Sequence, residues 1–187
     1  MKRTDGNTRC NSRQNGISLI ELMIVIAILA IMAAFALPGI ESSVNTGHRA
    51  AGLAGAMGMV DGARSNAISR RLPISVCPSS DQQSCNSDNW ADGWVMFIDD
   101  GASGTARDGK RSSREKIIQT GQAAVASITI RSHEFSAGVA LVFDELGMIA
   151  DSGSLVVCDK NSTAATVLVV SQIGQSLREN PADIACS

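Results

Sequence analysis

The sequence predicts an α+β protein: a long N-terminal helix, its first half apolar all round and its second half amphipathic, packed on a small antiparallel β domain. Three observations predict it. From Ile17 to Leu37 only Ser18 and Glu21 are strongly polar, and as a helix such a run reaches about 30 Å at ~1.5 Å per residue, the thickness of a bilayer core. From Glu41 to about Arg71 the apolar residues Val44, Ala51, Leu53, Met57, Val60, Ala63, Ala67 and Ile68 recur mostly three or four apart, which draws one stripe along a helix. Beyond Pro73 the period falls to two, and short apolar runs alternate with polar turns and no further helix, the pattern of antiparallel strands.

Residues 1–16 are a polar, basic leader. Lys2, Arg3, Arg9 and Arg13 against Asp5 give it +3, so the remainder of a chain of net charge -2 carries -5. A basic flank predicts a cytoplasmic N-terminus, with everything after Pro38 outside. A mildly acidic exterior domain is not a general binder of polyanions. Residues 17–38 are then the membrane-spanning half of the helix. Glu21 is the anomaly in it, because a carboxylate in hydrocarbon is costly and marks function by default. Cutting the chain between Gly16 and Ile17 creates an α-amine four residues from Glu21, on the same helical face; the amine of a neighbouring copy serves equally well. An ordinary membrane anchor does not explain Glu21. A secretory signal peptide fits Ala34-Phe35-Ala36 as a cleavage site, but the apolar run is long for one and Pro38 follows closely.

Residues 39–72 continue the helix. Pro38-Gly39 is expected to weaken or kink the junction. Gly47, Gly52, Gly55, Gly58 and Gly62 each cost about 1 kcal/mol against Ala in a helix; the expected reason is close approach of a strand or a neighbouring helix. Residues 73–187 form the β domain, with strands at 74–77, 93–98, 115–120, 125–131, 139–143, 155–158 and 166–171, and exposed polar loops at 78–92 and 99–113. With 3% aromatic residues and no Tyr, the core is built from Val, Ile, Leu and Ala.

Cys10 lies in the leader. Cys77, Cys85, Cys158 and Cys186 remain, and an even count in an exported domain reads as two disulfides. Of three possible pairings, Cys77–Cys85 with Cys158–Cys186 is favoured: the first closes a short polar loop and the second pins the C-terminal tail to a strand. No C-x-x-C and no paired His occurs, so no zinc site is expected. Asp99, Asp100 and Asp108 with Gly101 and Gly109 raise calcium, but lack the alternating carboxylates of an EF-hand loop. His48 reads as a surface residue of the helix, and His133 sits next to Glu134 at a strand end. No nucleophile motif or phosphate-binding loop is present, so no enzyme and no cofactor are expected.

Gly16 before an apolar run, Glu21 at the fifth position after it and Pro38 near its end resemble the class III signal of type IV pilins and pseudopilins. The resemblance implies that a prepilin peptidase cuts after Gly16 and methylates Ile17, and that Glu21 orders subunits in a filament. Ile17 departs from the family's usual Phe. Further on, Cys77-Pro-Ser, then Cys85 to Trp90-Ala-Asp-Gly93-Trp94-Val-Met-Phe97, Phe143-Asp-Glu-Leu-Gly147, and Leu168-Val-Val-Ser-Gln-Ile-Gly174 before Cys186 resemble the GspH/FimT branch of minor pilins and pseudopilins. This implies a type IV pilin-like fold and a non-catalytic subunit, held in the inner membrane and then built into a periplasmic or extracellular filament. Its partners would be prepilin peptidase and other major and minor pilins or pseudopilins. The two cysteine pairs look more like the type IV pilus members FimT and FimU than the type II secretion member.

The alternatives are a type II secretion pseudopilin H and a DNA-binding minor pilin for natural transformation. Some FimT-like proteins bind DNA through a Gly-Arg-x-Arg turn. The matching stretch here is Gly174-Gln175-Ser176-Leu177-Arg178, which lacks both arginines at the matching positions and has Arg178 displaced by one, beside Glu179. Phosphate binding needs several cations, so this is a weak DNA site and a solvated turn is preferred. Arg107, Lys110, Arg111, Arg114 and Lys116, interrupted by Asp108 and Glu115, read as a solvated loop or a contact between subunits.

Overall fold

The computed structural model describes residues 17–102, 104–125, 127–135, 139–150, 152–159, 165–179 and Cys186, with the side chains of residues 35–42 excepted. The chain divides into two compact units, Met1–Ser42 and Ser43–Ser187. The helix α1 (Leu19–Arg70) contributes residues to both and continues through Pro38-Gly39 instead of ending there.

In the first unit the helix starts where Leu22 N–H donates to the Ser18 carbonyl at 3.1 Å. Every described side chain from 17 to 34 is exposed. The expected span at 17–38 is not shown: among the described residues no helix is long and apolar enough to cross a membrane.

In the second unit the amphipathic half of α1 buries Leu53, Ala56, Met59, Val60, Ala63 and Ala67. The spacing of three and four holds, but the stripe differs from the expected one. Val44, Ala51 and Ile68 are exposed, and Ala56 and Met59 take their place. Gly52 is where a strand comes close, since an added Cβ would meet Ile128 Cγ2 at 3.4 Å. At Gly47, Gly55 and Gly58 an added Cβ would meet nothing within 4 Å, so close packing within the chain does not explain these three.

Among the described residues eight strands form two antiparallel sheets. They are β1 (Ile74–Pro78), β2 (Trp94–Ile98), β3 (Ile117–Gly121), β4 (Ile128–His133), β5 (Leu141–Phe143), β6 (Gly153–Asp159), β7 (Thr166–Val170) and β8 (Ser176–Glu179). The first sheet has the order β3-β2-β1-β5 and the second β4-β6-β7-β8. Val76 faces Met96 across the first sheet, and Leu155 faces Leu168 across the second. These residues join Leu53, Val60, Ala63, Phe143 and Val170 in one core beneath α1.

Several strand expectations are corrected: β5 starts at Leu141, not at 139, and β6 runs from Gly153 to Asp159, beyond 155–158 at both ends. β3 starts at Ile117, not at 115, because Glu115 is buried and its carboxylate accepts Ser112 N–H at 2.7 Å, closing the preceding loop. β4 starts at Ile128, not at 125, because Ile128 N–H closes a turn onto the Val125 carbonyl at 2.9 Å. β8 was not expected at all. It forms by pairing with β7 across the turn in which Ser171 N–H reaches the Gln175 carbonyl at 2.9 Å. β1 is buried on both faces. Its Cys77 packs with Val95, Phe97 and Ala140 in a second small cluster on the side away from α1.

Candidate functional site

Two regions carry the residues singled out in the sequence. The first is the N-terminal segment. Gly16 lies outside the described residues. Ile17 and Ser18 precede the first helical residue, and Ile17 is 76% exposed. Glu21 is in the first turn of α1, where the partial positive charge of the helix N-terminus favours an anion. Around it Leu19, Ile20, Leu22, Met23 and Ile24 are all more than half exposed. A surface apolar on every side has no stable state alone in water and requires lipid or other chains.

The second region is the set of loops on the β domain. Cys77 and Cys85 are joined, with Cα atoms 5.5 Å apart; Cys158 and Cys186 are joined at 5.6 Å, so the tail is tied to β6. Inside the first loop Asp81 accepts from the backbone N–H groups of Ser84 and Gln83, each at 2.8 Å, and from the hydroxyls of Ser84 and Ser79 at 2.7 and 2.9 Å. These donors, the Ser84 N–H first, hold its carboxyl well below the usual carboxylate range. The carboxamide oxygen of Asn89 accepts from Ala91 N–H at 3.2 Å and from Ile130 N–H at 2.9 Å. It thereby satisfies one backbone donor on the outer edge of β4, which would otherwise be free.

Asp99 explains the acidic loop. It is fully buried and accepts Ser75 Oγ–H at 2.6 Å, Arg107 N–H at 2.7 Å and Gly109 N–H at 2.9 Å. Its oxygens hold the loop from 99 to 109 closed over β1. Among the described residues no group of His, Cys, Asp and Glu could hold a metal ion. Two cations of the basic loop, Arg107 and Arg111, are engaged within the chain. Arg107 pairs with Glu145, and its guanidinium, second to Glu145's own backbone N–H, lowers that carboxyl's pKa. Arg111 donates to the carbonyls of Gln83 and Glu115.

The C-terminal stretch is not one site. Gly174 is buried with φ +71°, and an added Cβ would lie 2.2 Å from the Gly147 carbonyl oxygen. Arg64 Nε–H donates to the neighbouring Ile173 carbonyl at 3.0 Å. Arg178 stands exposed on β8 beside exposed Glu179. His133 is exposed beside Glu134. His48 is half-buried and lines a cavity of about 300 Å³ together with Trp90 and Trp94. Sequence reasoning missed that cavity. The available signal was a pair of tryptophans in a chain with 3% aromatic residues, facing a helix rich in glycine.

Comparison with known proteins gives two matches to families. The model of the family described as type II transport protein GspH matches residues 59–174, and that of the prokaryotic N-terminal methylation motif matches residues 11–37. No curated protein matches the sequence. Two crystal structures of the type IV minor pilin FimU of Pseudomonas aeruginosa (strain PAO1) are similar, each at 22% identity. One covers 78% of this chain and 97% of FimU with a TM-score of 0.47; the other covers 82% and 97% with a TM-score of 0.49. Because the GspH family model spans more than half of the sequence, the chain belongs to the GspH/FimT family of type IV minor pilins and pseudopilins.

Proposed function

We propose that this chain is a non-catalytic minor pilin: cleaved after Gly16 by prepilin peptidase, methylated on Ile17, and assembled from the inner membrane into a type IV pilus, where it aids initiation or sits at the tip. The observation that carries the reading is Glu21 in the first turn of a helix whose described side chains from 17 to 34 are all exposed, within the stretch that matches the methylation motif. In lipid the carboxylate is costly. In a bundle the α-amine of Ile17, its own or a neighbour's, offsets that cost, so cleavage turns a membrane anchor into an assembly element. The disulfide-tied β domain remains outside. Mass spectrometry of the chain extracted from membranes tests this. The expected mature protein begins at methylated Ile17; an N-terminus still at Met1 in cells that contain the peptidase overturns it.

The match to the GspH family description supports a second reading, a pseudopilin of type II secretion. Deletion separates the two. Loss of twitching or transformation supports the pilus, and failure to release exported proteins supports the secretion machine. The DNA-binding reading has a poorer footing here, since Arg178 is flanked by Glu179 and Gly174 is buried.

A further inference from the structure

We infer that the exposed face around Arg64, near the C-terminal end of α1, docks a carboxylate-bearing segment of a neighbouring subunit that is tethered by its own apolar helix. Three segments build the face. The turns at 144–147 and 171–174 abut each other and the helix: a Cβ added at Gly174 would run into the Gly147 carbonyl, and one added at Gly147 would lie 2.8 Å from Ile68 Cδ1. The stem of Arg64 passes both turns, with Cγ 2.9 Å from the added Cβ of Gly147 and Cδ 2.9 Å from that of Gly174. Two bare turns therefore hold the stem, and Nε–H is spent on the Ile173 carbonyl at 3.0 Å. A side chain fixed in this way loses little freedom on binding. The acids on these segments hold other donors. Glu145 pairs with Arg107, Asp144 accepts from the N–H groups of Leu146 and Met148, and Asp61 accepts from the Ser176 hydroxyl at 3.1 Å. Among the described residues Arg64 makes no ion pair.

Charge and area name the occupant. Flanking the two glycines and Arg64 are Leu146, Met148, Ile173 and Ile68, which are 41–71% exposed. An arginine ringed by apolar side chains has the composition of a binding hot spot, and its guanidinium fork matches a carboxylate. A nucleic-acid backbone needs several cations together, whereas this ring is apolar. The four side chains expose on the order of 400 Å², enough to mark an interaction surface but about half of what each partner of a stable complex buries. Such a face does not hold a partner arriving from solution. It suffices for a subunit already brought alongside by a bundling helix, because tethering raises the effective concentration.

The identity of the partner as a filament subunit rests on the proposed function; the held arginine and its apolar ring do not. Leu146 is 71% exposed, so substitutions there leave the fold intact and read the face through the sign of the charge. Full-length Leu146→Glu and Leu146→Lys are produced in cells, and their recovery in sheared filaments is measured, with cleavage at Gly16 and the Tm of the β domain followed in each. Both lose the same apolar contact, but only the glutamate competes for Arg64 and repels an incoming carboxylate. Leu146→Lys should be recovered at least about tenfold better than Leu146→Glu, since like charges brought together at an interface are strongly unfavourable. Benzoylphenylalanine replacing Ile173 should, on illumination of filaments, join the chain to a peptide of another subunit that contains Asp or Glu, and Leu146→Glu should abolish that bond. Equal recovery of the two Leu146 variants, or a cross-linked peptide without an acid, overturns the carboxylate. Absence of any cross-link to another subunit overturns the face, and N-terminal processing is unaffected by either result. An unchanged chain that is cleaved and methylated yet absent from filaments overturns the filament reading and this partner together.

Discussion

Asp99 is the residue on which the loop side of the β domain depends. Its carboxylate is fully buried, and all three of its partners donate. Asn in its place keeps one acceptor and brings an NH₂ group against donors, so at least one buried donor loses its partner. Asp99→Asn is expected to destabilise the folded domain by about 1–3 kcal/mol, read as a lower urea midpoint with unchanged slope. Asp81 gives a pH effect instead. Its folded pKa is depressed, so its contribution is fully present above the ordinary carboxylate range and is lost as pH falls through that range and below. Asp81→Asn should therefore lower Tm at neutral pH, and the difference from the unchanged chain should shrink below about pH 4. A difference that stays constant down to pH 2 would show that the charge contributes nothing.

At the scale of elements, the glycines divide by what surrounds them. Gly174 turns the chain from β7 into β8 with a positive φ, and a side chain there runs into the Gly147 carbonyl and Arg64. Gly174→Ala should cost at least ~2 kcal/mol, combining backbone strain with the clash. Gly58→Ala should raise stability by about 1 kcal/mol, since the space is open and only helix propensity changes. Thermal melts of the two variants should move in opposite directions. This division also marks how far the sequence can be read. The long helix, the strand at Trp94–Ile98 and the antiparallel class are legible because period and β-branched content report local backbone preference. β8 is not, because Ser-Leu-Arg-Glu carries no alternation and becomes a strand only beside β7. The double-sided burial of β1 is hidden for a similar reason: it depends on Asp99 folding a distant loop over it. Glu21 is legible as a single misplaced charge. The tryptophan-lined cavity is not, because His48, Trp90 and Val125 meet only once both sheets are in place.

At the scale of the whole molecule the two units differ in what stabilises them. The unit Ser43–Ser187 has a core that joins α1 to both sheets and two disulfides, so its fold rests on contacts within the chain. In the unit Met1–Ser42, no described side chain from 17 to 34 is buried; on the proposed reading its apolar surface is covered from outside, by lipid first and by other helices later. On the proposed reading Glu21 biases that second exchange. A carboxylate in hydrocarbon is unfavourable by roughly 2–3 kcal/mol or more, and it is relieved when an α-amine comes within reach in a bundle. Replacing it by alanine removes the penalty in lipid and the reward in the bundle together. Glu21→Ala should therefore remain membrane-associated, be cleaved after Gly16, and keep the melting temperature of the β domain, yet be depleted from sheared filaments by about tenfold or more. The four readings belong in one experiment, because a chain that is uncleaved or unfolded would also be missing from filaments. If the variant is cleaved, folded and present in filaments at the unchanged level, the apolar helix assembles on packing alone and Glu21 has no part in recruiting this subunit.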